Sequence, residues 1–167
     1  LVEVQALSSN PRSESGGKLT CVGVDPKRAA TLLAVLAEHA SIDALARDVF
    51  VSVAGGANLR DPASDAALAL AIASSHKKIA LDEHTLAIGE VGLAGELRSA
   101  PGMRQRILEA KRAGFVRIIV APFVDVPADV SDGIALLRAE GIEDAIALAL
   151  VPEFSFTQAD ANSTHLA

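Results

Sequence analysis

Between Arg98 and Arg117 the sequence places six basic side chains, Arg98, Arg104, Arg106, Lys111, Arg112 and Arg117, against one acid, Glu109. That window carries a formal +5, so a chain total of −6 leaves −11 for the remainder. Forked guanidinium donors suit phosphate oxygens, so the chemistry this pattern points to is contact with a nucleic-acid backbone. Arg104 and Lys111 are expected on one helix face, with Arg106 and Arg117 extending it. Two other readings fit the same six residues. One is a solvated helix face, and the other is a surface that pairs with the acidic remainder of a neighbouring copy.

Other chemistry is sparse. Gly55-Gly56 is not followed by the Lys-Ser/Thr of a phosphate loop, and no such motif occurs elsewhere, so no ATP site is expected. His39, His76, His84 and His165 show no pair at ligand spacing, which argues against a metal. Cys21 is the only cysteine and reads as a small buried hydrophobe. A lone thiol excludes a disulfide framework and fits a reducing cytoplasm. Five Phe without Trp or Tyr argue against a stacking platform for single strands. No run reaches transmembrane length and no secretory pattern opens the chain. It begins at Leu1, which is read as a fragment of something longer.

Half the residues are hydrophobic, mostly Ala, Leu and Val, and 167 residues suffice for one domain with a sizeable core. Residues 1–7 alternate as a strand, and residues 8–18 form a loop that closes a hairpin with a strand at 19–24. Asp25-Pro26 is an N-cap followed by proline, opening a helix to about His39. Residues 40–47 connect to a strand at 49–53. Asp61-Pro62 repeats the device for a helix over 62–75 that is apolar on nearly every face, hence central. Ser64 and Asp65 are expected to serve the free amides of its first turn. Residues 77–84 form a polar link anchored by Leu81.

Residues 85–122 organise the rest. A strand at 85–88 ends at Gly89-Glu90, with Glu90 bonded to backbone or an arginine. Residues 91–93 and 96–98 flank the Ala94-Gly95 turn of a hairpin. Pro101-Gly102 opens a helix with Met103, Ile107, Leu108, Ala110 and Ala113 at helical spacing, and Gly114 stops it. A buried strand follows at 116–120. Helices are expected at 131–140 and 142–151, and residues 152–167 are expected to form a flexible tail. The class is α/β, of the mixed α+β kind.

GEVGLAGELR, the helix ending KRAGF and the strand RIIVAP resemble the proteolytic domain of the Lon family. With LVEVQAL and VFVSVAGGANLRDPASDAALALAIASS, the closer resemblance is to the non-proteolytic Lon-like domain of the bacterial RadA (Sms) DNA-repair family. It covers roughly residues 1–122. It implies a Lon-protease-like fold, similar to ribosomal protein S5 domain 2, over residues 1–151. In the Lon family a serine nucleophile follows Gly-Pro at the start of the central helix, and a lysine base opens a later helix. The matching positions here are Ala63 and Arg104. A methyl group cannot attack a carbonyl, and a guanidinium stays protonated at neutral pH, so both halves of the dyad are missing. Ser64 is one residue off register, turned by about 100° from the Ala63 direction.

The resemblance further implies a parent protein with a zinc finger and a RecA-like ATPase, acting as a ring-shaped, DNA-stimulated branch-migration motor. Zinc, magnesium and ATP would belong to that parent, and this chain is expected to hold no cofactor. Self-association into a ring, expected to be a hexamer, DNA, and the recombinase RecA are the partners implied, with no membrane. The fragment is read as a non-enzymatic scaffold of the ring and a DNA-facing surface. The alternatives are an active Ser/Lys peptidase and a generic protein-interaction module.

Overall fold

The computed structural model describes residues 1–11 and 17–150. The expected tail at 152–167, with His165, lies outside the described residues. So does part of the loop at 8–18.

Strands β1 (Val4–Ser9), β2 (Leu19–Val22) and β3 (Asp48–Val53) form one sheet in the order β1-β3-β2. β1 runs antiparallel to β3 and β2 runs parallel to it. The hairpin expected between the first two strands is therefore not formed. Val49, Val51 and Val53 are at most 2% exposed, so β3 carries a deeply buried face and takes the middle of the sheet. The parallel step from β2 to β3 needs a crossover, which helix α1 (Pro26–Ala40) supplies. Asp25 caps α1 as expected, accepting the Lys27 amide at 2.9 Å.

A 3-10 turn (Pro62–Ser64) leads into helix α2 (Asp65–Lys77). Ala66, Ala69, Ile72 and Ala73 on α2 are wholly buried. The helix packs against β1, α1, strand β4 (Thr85–Ile88) and the C-terminal helix described below, which is the central position its apolar faces require. Leu81, the expected anchor of the following link, is 37% exposed. Ile79 packs on the core instead, because Ser74 holds it at both ends, accepting its amide at 3.1 Å and donating its hydroxyl to its carbonyl at 2.6 Å.

β4 is followed by the short antiparallel pair β5 (Glu90–Val91) and β6 (Leu97–Arg98), then by helix α3 (Met103–Arg112) and strand β7 (Arg117–Val120). Next come one helical turn, α4 (Ala128–Ser131), strand β8 (Ala135–Arg138) and helix α5 (Ile142–Ala149). The second sheet has the order β4-β7-β8 and is parallel throughout. A helix over 131–140 is thus replaced by a strand. Ala and Leu favour helix in isolation, but Ile118, Ile119 and Val120 bury β7 completely, and pairing along its second edge overrides propensity. On α3, Met103, Ile107 and Ala110 face the core, while Ala113 is exposed just beyond its end.

Gly95 closes the β5–β6 turn at φ +80°, and a Cβ there would lie 2.9 Å from the His39 side chain. Its carbonyl accepts the Ile142 amide at 2.8 Å. The turn is therefore wedged between the end of α1 and the start of α5.

One carboxylate ties these parts together. Asp65 is 2% exposed. It accepts Arg28 Nε at 2.8 Å, a second bond from Arg28 Nη2, and the Val91 amide at 3.2 Å. Arg28 Nη2 also donates to the Val91 carbonyl at 3.2 Å. Asp65 thus joins α1, α2 and β5, and does not serve the free amides of its own helix. The nearest carboxylate cap lies one turn earlier, where Asp61 accepts the Ala63 amide at 3.0 Å and so caps the 3-10 turn that leads into α2. A buried charge needs a partner, and among the described residues Arg28 is the cation paired with it. Asp65→Ala should lower unfolding stability by about 1.5–3 kcal/mol, the worth of hydrogen bonds to a charged group. Arg28 keeps about a third of its side chain in solvent, which holds the loss below that for a fully buried pair. A urea midpoint equal to that of the parent chain would refute the clamp.

Candidate functional site

The start of α2 is fastened to the end of β4 by two backbone bonds. The Gly89 amide donates to the Ala63 carbonyl at 2.8 Å, and the Ala66 amide donates to the Gly89 carbonyl at 3.1 Å. Ala63 is 5% exposed there. Beside it opens a hollow of about 330 Å³ lined by apolar side chains such as Val4, Ala67, Leu86 and Ile88, and by the charged Asp61, Arg106 and Glu109.

Arg106 Nη2 donates to Asp61 at 2.6 Å, and Arg106 Nε donates to the Pro101 carbonyl at 3.0 Å. The Ala63 amide, and after it Arg106, hold the Asp61 carboxyl below its ordinary pKa. Ser64 turns its hydroxyl to the Asp61 carbonyl at 2.6 Å. Arg104 is not among the residues lining the hollow. Its Nη2 lies 3.7 Å from Asp129 of α4, and two residues along a helix rotate a side chain by about 200°. The structure therefore brings Ala63 together with Arg106 and not with Arg104.

The basic window is spread over several neighbours. Arg104 and Lys111 do share a face, since Lys111 Nζ donates to the Asp132 carbonyl at 2.6 Å just beyond α4. Arg112 pairs with Glu109 at 2.6 Å along α3. Arg98 pairs with Glu96 and reaches Glu90 at 4.0 Å, the role expected of Glu90. Arg117 lies 3.5 Å from Asp82 and donates to the Leu148 carbonyl at 3.2 Å. All six side chains thus have a partner within the chain. The exposed pairs, such as Arg104–Asp129 and Arg112–Glu109, are weak in water, so those cations can exchange partners at small cost.

His39 Nε2 meets the Leu93 carbonyl at 3.0 Å, and His84 lies 3.6 Å from Glu83. His76 Nδ1 is buried without a hydrogen bond among the described residues. Burial, then the nearby Arg47 and Lys77 charges, push its pKa below the ordinary value. Burial raises that of Cys21 on β2. Among the described residues no three His, Cys, Asp or Glu side chains gather as a ligand set, and no helix is long and apolar enough to cross a membrane.

Sequence reasoning missed the Arg28–Asp65 clamp and the Arg106–Asp61 bridge. The first had a signal. Asp65 is the one charge before an unbroken apolar run, Ala66 to Ala73, and such a charge must be paired when its helix is central. The second had none, because residues 61 and 106 are linked only by the fold.

Comparison with known proteins gives the geometry its context. Residues 1–152 match the Lon protease (S16) C-terminal proteolytic domain. The chain is 39% identical over 153 residues to the DNA repair protein RadA of Escherichia coli (strain K12), covering 89% of this chain and 32% of that protein. It is 41% identical over 145 residues to the DNA repair protein RadA of Mycolicibacterium smegmatis (86% and 30% covered), and 38% identical over 146 residues to that of Aquifex aeolicus (87% and 32% covered). The chain spans about a third of the length of these curated relatives. A match of this extent, over a mixed α/β fold, makes the chain a member of the Lon protease C-terminal domain family, similar over most of its length to RadA DNA repair proteins.

Proposed function

We propose that this domain serves a RadA-type DNA repair protein without peptidase chemistry, as a scaffold of a ring-shaped assembly that also offers its α3 face to duplex DNA. The observation that carries the first part is Ala63 beside the hollow. Acyl transfer needs a hydroxyl or thiol and a base that can be neutral near pH 7. Beside Ala63 stand a methyl group, a Ser64 hydroxyl committed to the Asp61 carbonyl, and the Arg106 guanidinium. The Lon-like match and the mixed α/β topology support a fold similar to ribosomal protein S5 domain 2, over residues 1–151. The parent's zinc finger, ATPase core and RecA partnership belong to the same reading.

The scaffold role is supported by the division of charge, with α3 basic and the remainder of the chain acidic, which suits contact between copies. The DNA role rests on Arg104, Arg106, Lys111, Arg112, Arg98 and Arg117; of the five arginines Arg104 and Arg112 are the most open, with 61% and 71% of the side chain exposed. Arg106 is the least suited, because it braces Asp61.

Incubation with an unstructured protein such as casein should give zero turnover over hours, beside an active Lon-family peptidase as control. Steady cleavage that tracks the purified chain would overturn the first part. Light scattering of the chain at high concentration should report a mass several times 17.2 kDa. A strict monomer there would remove the scaffold role. Titration with labelled duplex and single-stranded DNA at several salt concentrations should show binding that falls steeply with salt. In an Arg104→Ala, Arg112→Ala variant the slope of log K against log salt should drop by about 0.9 for each phosphate that is no longer neutralised. No binding at low salt would leave α3 as a structural or intersubunit surface.

A further inference from the structure

The free edge of β1 is closed at one end by side chains. Val49 of β3 donates its amide to the Lys18 carbonyl, on the β2 side of the sheet. Ser8 stands opposite Val49 in the antiparallel register, so its own amide points the other way, out of the sheet. Such an edge amide needs a cover. Here it donates to Ser75 Oγ of α2 at 2.9 Å. Arg47 Nε, from the connection between α1 and β3, donates to Ser8 Oγ at 3.0 Å. Held from both sides, Ser8 is only 7% exposed.

His76 follows Ser75 in the last turn of α2. Its Nδ1 is buried without a hydrogen bond among the described residues. A neutral ring can leave that nitrogen bare. Protonation puts an N–H there with no described acceptor, and adds a charge. The charges that act on the ring come from two elements. Arg47 of the connection and Lys77 on α2 itself oppose a cation, while Asp43 of the connection favours one. β1 carries no ionisable side chain, and Asp48 at the start of β3 accepts the Lys18 amide at 2.9 Å. Burial, with the two cations, outweighs Asp43 and holds the ring below the ordinary histidine pKa.

We propose that His76 is an acid-sensitive latch on the free edge of β1. A proton on its ring sets a second cation against Arg47, drives Arg47 from Ser8, and opens the Ser8–Ser75 bond next to it. The sign follows from where the proton binds more readily. The unfolded chain protonates His76 near the ordinary value of about 6.5, whereas the folded chain resists to lower pH. The latch is therefore closed above that value, and its contribution is lost as pH falls through the lowered folded value.

Amide hydrogen exchange of the 167-residue chain, read by NMR from about pH 7.5 to about pH 5, tests it. Corrected for the intrinsic rate, protection of the Ser8 amide should fall about fivefold, the worth of one hydrogen bond. Its midpoint should coincide with the ring titration of His76, and the buried Val51 amide should keep its protection. In His76→Gln, which does not titrate, Ser8 protection should stay level across the range, with a thermal melt showing that the variant is folded. Constant protection of Ser8 in the wild type overturns the latch. So does an equal loss in His76→Gln, or a loss that Val51 shares. If His76→Gln does not fold, the wild type decides alone, and a midpoint away from the His76 titration overturns the proposal.

Discussion

The fold depends on a charge in a place where charge is costly. Asp65 opens a helix whose next eight residues carry only apolar side chains, and burial leaves it 2% exposed. Burying an unpaired carboxylate there would carry a heavy desolvation cost. Arg28 neutralises it from α1, and the Val91 amide binds it from β5, so one group fixes the relation of three elements. Apolar packing alone would hold α2 at the centre but would not fix its rotation or its height against β5. Ionic and hydrogen-bond geometry is directional, and supplies that constraint.

The position of Ala63 follows from this clamp. With α2 fixed at Asp65, the turn before it must pass the end of β4, and the exchange between Ala63, Ala66 and Gly89 holds it there. The same backbone arrangement would present a side chain from position 63 toward the hollow, whatever that side chain was. The direction of position 63 is therefore carried by main chain and by Asp61, Asp65 and Arg28. Exchanging the side chain at 63 for another small one would leave these supports untouched.

Much of this was legible in the sequence, where local rules decide. Asp25-Pro26 and Asp61-Pro62 announced both helix starts, and the all-apolar face of α2 announced its central place. The hairpin at Ala94-Gly95 and the stop at Gly114 were equally plain, since each rests on a positive φ. Failures came where distant pairing decides. Residues 135–138 read as helix because Ala and Leu prefer it, yet β7 needed a partner on its second edge. The hairpin of the first two strands failed because nothing local says that β3 inserts between them. At the candidate site the Arg106–Asp61 bridge was not legible, since 45 residues separate its ends.

The pairing within the basic window bears on what that window can do. A free cation attracts phosphate at once, whereas a paired cation must first give up its carboxylate. For exposed pairs that exchange is nearly balanced, because each contributes little in water. For Arg106 it is not, because its partner Asp61 also caps the turn before α2. Pulling Arg106 onto a phosphate would loosen the start of the central helix. The six residues therefore divide by their second duties. Arg104 and Arg112 can meet a polyanion or a neighbouring copy without disturbing the fold, and Arg106 belongs to the support of the hollow.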